Sequence, residues 1–180
     1  PAALEIMDQR VIETVEPFVE AGYPMDAAAV LIVELDGMSA GVAAAIVRIE
    51  AIGKANGART VRVAETEDER VRIWKGRKSA FGAIAVIKPD YYLNDTVIPR
   101  TRLAEVLTRV YEVVEERGLI VMNVFHAGDG NLHPLIVFDA REPGVMEQVL
   151  DAGEEIVRIS VEAGGVLSGE HGIGLEKKKF

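Results

Sequence analysis

The chain has 180 residues, enough to bury a core in one domain without disulfides or metals to hold it. Its composition, 49% hydrophobic and 27% charged, is that of an ordinary globular protein, and no apolar run approaches the length of a membrane span. With 29 acids against 20 bases the net charge of −9 argues against nucleic acid as a partner, and zero cysteines remove disulfides, thiolate metal sites and cysteine nucleophiles while permitting a cytoplasmic address.

Leu4, Ile6, Met7, Val11, Ile12, Val15 and Val19 recur at helical spacing and predict an amphipathic helix over about 3–21, closed by Gly22 and Pro24. Ala28 to Leu35 is a short apolar, β-branched run, read as a buried strand that ends at Asp36-Gly37. Ser39 then caps a helix through Ala55, stopped by Asn56-Gly57. Thr60 to Ala64 alternates and reads as a strand, followed by a helix over about 67–88 that contains the sole tryptophan. The passage from Pro89 to Pro99 is irregular or extended, and a helix over 100–117 ends at Gly118. Leu119 to Phe125 and Leu132 to Phe138 are two arms of a hairpin. A last helix over 142–163 ends at Gly164-Gly165, and Val166-Leu167 leads into a glycine-rich end. This order predicts an α+β domain, ferredoxin-like βαβ units sharing an antiparallel sheet with helices packed on one face. One domain accounts for residues 1–180. Pro1 and Phe180 give both ends the look of cuts within a longer polypeptide.

The three histidines are His126, His133 and His171. Two of them frame one Asp-Gly turn in Phe125-His126-Ala127-Gly128-Asp129-Gly130-Asn131-Leu132-His133-Pro134. A two-residue primed turn centred on Asp129-Gly130 would set His126 opposite His133, with Cβ atoms about 5 Å apart on one face. That spacing lets two imidazoles converge on one divalent cation, although two incidental polar residues on a packed face would give the same pattern. A catalytic site needs a third protein ligand and an open position. Glu170, in the Gly-flanked Ser168-Gly169-Glu170-His171-Gly172-Ile173-Gly174, is the best-placed acid. Its neighbour His171 points elsewhere in any extended backbone and is left as a general base near neutral pH. Asp129 is read as turn chemistry and not as a ligand. Neither glycine cluster has the spacing or the strand-to-helix context of a dinucleotide fingerprint, and no Gly-x-Ser-x-Gly occurs. Trp74 reads as core or pocket wall. Arg77 reads either as a surface residue or as a bidentate carboxylate clamp.

The two histidine motifs resemble the paired motifs of the C-terminal domain of FAD-linked 2-hydroxy acid dehydrogenases and oxidases. Trp74-x-x-Arg77-Lys78, Pro89-Asp90-Tyr91-Tyr92, Ile98-Pro99-Arg100 and Glu34-Leu35-Asp36-Gly37 carry the likeness over essentially the whole chain. The resemblance implies that residues 1–180 form a substrate-binding cap over a flavin, with the N-terminal FAD-binding domain outside the chain and the fragment inactive by itself. It implies a divalent metal, most often zinc with manganese or iron as alternatives, held by His126, His133 and Glu170. It further implies His171 as the base for the substrate hydroxyl, Arg77 as partner of the substrate carboxylate, and Asn131 as a shaper of the pocket. FAD would be the cofactor and a small 2-hydroxy acid, of glycolate or D-lactate type, the substrate. Accessory subunits, including an iron–sulfur electron acceptor, would hold the enzyme at the inner face of the membrane. Relatives acting on 2-hydroxyglutarate carry a lysine six residues before the proline that matches Pro99; here that position is Leu93, followed by Asn94. Two other readings fit the residues alone: a ferredoxin-like binding module with a structural metal and no catalysis, and a metal-assisted hydrolase with His171 activating water.

Overall fold

The computed structural model describes residues 1–180. A five-stranded antiparallel sheet runs in the order β2-β1-β5-β7-β3, built from β1 (Ala3–Asp8), β2 (Ala29–Glu34), β3 (Asp90–Leu93), β5 (Ile120–Phe125) and β7 (Pro134–Phe138). A short ribbon of β4 (Thr96–Val97) and β6 (Asn131–Leu132) lies beside it. The helices are α1 (Gln9–Val19), α2 (Ser39–Ala55), α3 (Glu67–Ile84), α4 (Leu103–Glu115, entered through a 3₁₀ turn at Arg100–Arg102) and α5 (Val145–Glu162). The expected α+β class with an antiparallel sheet is therefore what the chain forms. No helix is long and apolar enough to cross a membrane.

The helices do not share one face of the sheet, as the sequence had suggested. Successive residues of β5 point to opposite sides, and Val121 packs with Val106, Val110, Val149 and Ile156 of α4 and α5. Met122 packs instead with Val11 and Val15 of α1 and Ile84 of α3. Both faces are thus buried, which explains why all five residues of β7 are buried and read as a continuous apolar run.

The same double burial corrects three expectations. Residues 3–8 are a strand, not the first turns of a helix. Leu4 and Ile6 face the α4/α5 core while Met7 faces α1, and this two-sided pattern imitates helical spacing. The helix starts after Asp8, whose carboxylate accepts from the Val11 amide at 2.9 Å. Thr60 to Ala64 alternates but pairs with no strand; Val63 is exposed, and Arg62 reaches back to the carbonyls of Ala21 and Gly22. The irregular passage after Pro89 holds the edge strand β3, paired with β7 from Asp90↔Phe138 to Leu93↔Leu135.

The hairpin is real, but its register is not the expected one. Asn123 lies opposite Pro134 and His126 bridges to Asn131, so four residues, Ala127 to Gly130, make the connection. The amides of Asp129 and Asn131 both donate to the His126 carbonyl at 3.2 Å. Tertiary contacts override the local Asp-Gly preference. Gly128 donates to the Leu4 carbonyl at 3.0 Å, and Ile98 donates to the Gly130 carbonyl at 2.9 Å. Gly130 sits at φ 72°, where a Cβ would come within 2.2 Å of the Ile98 oxygen. A shift of two places preserves the side-chain face. The two histidines therefore remain on the same side, as diagonal neighbours.

Candidate metal centre

His126 follows β5 and His133 precedes β7, both on the α1/α3 side of the sheet. Their ring centroids are 5.3 Å apart with the planes nearly perpendicular. The loop after α5 brings Glu170 to them. Its Oε2 lies 3.1 Å from His133 Nε2 and its Oε1 lies 3.8 Å from His126 Nε2. One ligand atom from each of the three residues falls within 4.8 Å of the others. His171 stacks on His133 with centroids 5.5 Å apart and planes 12° from parallel.

Behind His126 and His133 stand two buried carboxylates, Glu5 and Asp95, of which only Glu5 hydrogen-bonds the ring nitrogen. Extending the β1–β5 register from Ile6↔Phe125 by one residue sets Glu5 opposite His126. Glu5 Oε1 accepts from His126 Nδ1 at 2.7 Å, which fixes the proton on Nδ1 and leaves the Nε2 lone pair directed at Glu170. His133 Nδ1 is buried without a hydrogen-bond partner, and Asp95 Oδ1 stands 4.0 Å from it. Burial, with His126 adding to it, pulls His133 below the ordinary histidine value against the opposing influence of Asp95 and Glu170. A neutral imidazole is the form that binds a metal. Two Nε2 atoms facing one carboxylate, with Glu5 bonded behind His126 and the buried Asp95 4.0 Å behind His133, are a donor set that fits a divalent cation.

Arg77 does clamp a carboxylate, but it is that of Glu5. Its Nε and Nη2 donate to Glu5 Oε2 at 3.0 and 2.8 Å, and the pair is buried, 8% and 6% exposed. Here Arg77 serves Glu5 and through it His126, in place of the substrate-carboxylate clamp expected of it. Asn131 is 4% exposed; with its amide oriented so that the nitrogen faces the surrounding acceptors, it donates to Asp95 Oδ1 at 2.7 Å and the Thr96 carbonyl at 3.1 Å. It is part of the scaffold under the site, not of an open pocket wall. Trp74 lies in a surface hollow with Arg70, Lys75 and Lys78, away from the histidines.

Two residues that matter were not legible in the sequence. Glu5 lay hidden inside the misread helix; the cap signal of Asp8, three residues before Val11, is what could have exposed it. Asp95 sat in a stretch without periodicity and carries no motif of its own.

All residues, 1–180, match the family model described as FAD linked oxidases, C-terminal domain. The chain is 50% identical over 177 residues to the glycolate oxidase subunit GlcD of Escherichia coli K12, covering 98% of this chain and 36% of that protein. It is 37% identical to GlcD of Bacillus subtilis, over 100% of this chain and 38% of that one. It is 30% identical to a D-lactate dehydrogenase of Archaeoglobus fulgidus, over 98% and 38%. The chain thus spans little more than a third of the length of each of these three relatives. A 4-ethylphenol oxidase from Gulosibacter chungangensis, solved as an isoeugenol complex, shares the fold at a TM-score of 0.57 and 13% identity, over 91% of this chain and 38% of that one. By its sequence along the whole length, the chain belongs to the C-terminal domains of the FAD linked oxidases.

Proposed function

We propose that this domain is the substrate- and metal-binding cap of a flavin-dependent oxidoreductase that oxidises a small 2-hydroxy acid, of glycolate or D-lactate type, to the 2-oxo acid. The observation that supports it is the convergence of His126 Nε2, His133 Nε2 and Glu170 on one point, with His171 stacked alongside. The three would hold a divalent cation, zinc in the first place and manganese or iron as alternatives. When bound, that cation supplies positive charge favouring a deprotonated substrate hydroxyl, and FAD, held mainly by another part of the protein, supplies the hydride acceptor.

The chain's own residues have three duties. His171 accepts the hydroxyl proton as the 2-oxo group forms. Glu5, clamped by Arg77, orients His126. The surroundings of His171 bear on the size of the acid: an open hollow of about 340 Å³ beside it is lined by Leu93, Asp95, Ile173, Glu176 and Lys177. Lys177 is tied to the Asp95 carbonyl, and Leu93 is apolar, so neither offers a free cation to a second carboxylate. This favours a short monocarboxylate over 2-hydroxyglutarate. That two relatives are named as glycolate oxidase subunits supports accessory partners; we further propose an iron–sulfur electron acceptor among them and a cytoplasmic position peripheral to the inner membrane face. Turnover of glycolate, D-lactate and D-2-hydroxyglutarate by the full-length enzyme tests the reading. Highest kcat/KM is expected for one of the first two, and preference for the third would refute the substrate assignment.

A further inference from the structure

We infer that Asp95 is the positioning residue of the site: one buried carboxylate holds the loop of Glu170 and His171 against His133. The inference rests on the metal site proposed above and adds a residue that the site's own ligands do not include.

Asp95 lies just beyond β3, where Asn94 still donates to the Pro134 carbonyl at 3.1 Å. Continuing the register from Leu93↔Leu135 by two residues places Asp95 directly opposite His133. Its side chain is 1% exposed. The segment Ser168–Gly172 belongs to no helix or strand, and four of its donors end on this carboxylate. Ser168 Oγ donates to Oδ2 at 2.6 Å, and the amides of Gly169, Glu170 and His171 donate at 3.1, 3.0 and 2.8 Å. Asn131 donates to Oδ1 at 2.7 Å, so the hairpin is tied to the same group. The Lys177 ammonium donates to the backbone carbonyl of Asp95 and draws in the chain beyond the loop. Close packing underlies the loop as well, since a Cβ at Gly169 would lie 2.6 Å from the Asn131 amide.

Three amides in succession can converge on one acceptor only in a narrow range of backbone conformations. Asp95 therefore selects the loop conformation that sends the Glu170 side chain toward the two imidazoles and the His171 ring onto His133. Without it those amides have no other partner within the site, and the loop is free to move as glycine-rich segments do. Burial alone would raise the Asp95 carboxyl, but the Ser168 hydroxyl and the His171, Glu170 and Gly169 amides outweigh it and hold the group well below the usual carboxylate range.

The test uses the full-length enzyme stripped of metal, as wild type, Asp95→Asn, the milder Ser168→Ala, and Asp8→Asn as control. Asp8 is another buried carboxylate that accepts several hydrogen bonds, from Val11, Tyr111 and Asn123, none of them in the 168–172 loop. Hydrogen–deuterium exchange of the peptide containing residues 168–172 is read first, without metal. Protection is expected in wild type, partial loss in Ser168→Ala, loss in Asp95→Asn and retention in Asp8→Asn. Calorimetric titration with Zn²⁺ is read second, with affinity about 10- to 100-fold weaker in Asp95→Asn and unchanged in Asp8→Asn, the range seen when outer-shell partners of metal ligands are removed. Wild-type exchange of the segment in Asp95→Asn would overturn the inference. If wild type takes up no Zn²⁺ while the exchange pattern appears as expected, the metal reading fails and the positioning role of Asp95 stands.

Discussion

Glu5 and His126 lie 121 positions apart in sequence and share a 2.7 Å hydrogen bond across neighbouring antiparallel strands. The bond joins a buried ion pair to a metal-competent imidazole. Glu5→Ala should therefore free the His126 ring and its tautomer, weakening Zn²⁺ binding by about 10- to 100-fold in the full-length protein. Glu5→Gln, which keeps an acceptor for Arg77, should show a smaller loss. Calorimetric titration of the metal-stripped variants checks the order.

Arg77→Ala should be costly in a different way. It leaves the Glu5 carboxylate buried without its cation, a change that commonly destabilises by about 3–5 kcal/mol. Replacing both partners by apolar residues of similar size, Glu5→Leu with Arg77→Met, should return most of that stability without restoring metal affinity. Urea denaturation of the single and double variants separates the two effects.

Asp8 gives the chain a pH dependence of opposite sign to that of most native carboxylates. Burial raises its carboxyl above the ordinary value of 3.8, against the lowering effect of hydrogen bonds from Tyr111, Val11 and Asn123. A folded value above the unfolded one means that the native state binds the proton more tightly. The contribution of Asp8 to stability is thus largest below 3.8 and falls as pH rises through the folded value. The stability gap between wild type and Asp8→Ala should shrink as pH is raised across that acidic window, as read by denaturation at successive pH values. A gap that widens would contradict it.

Gly130→Ala tests the turn that sets the two histidines. The position combines φ 72° with an approach of 2.2 Å to the Ile98 oxygen. Positive-φ strain together with the clash should cost about 1–3 kcal/mol. Because the turn also fixes the spacing of His126 and His133, a loss of metal affinity should accompany the fall in stability.

Much of this arrangement was legible in the sequence, and what was missed has a common physical origin. The helix at 39–55 was foreseen in its bounds, although Met38 and not Ser39 is its N-cap and no side chain caps it, and the helix expected over about 67–88 forms but ends at Ile84. The first strand was lost because burial on both sides makes Leu4, Ile6 and Met7 look helical. The hairpin register was set by Leu4 and Ile98, residues distant in sequence that no local turn preference reveals. The convergence of His126 and His133 survived that error, since a two-residue shift keeps the face. Glu170 was identified by its glycine-flanked setting. Glu5 and Asp95, which hold the ligands in place, came into view only with the strand pairing that puts each opposite a histidine.

The most direct measurement is the metal content of the full-length enzyme as purified, by elemental analysis, for wild type and His133→Ala, with flavin absorbance read on the same samples. One divalent metal per chain is expected in wild type and little or none in His133→Ala, with FAD retained in both. Equal metal in the two proteins would contradict a centre built on His126, His133 and Glu170.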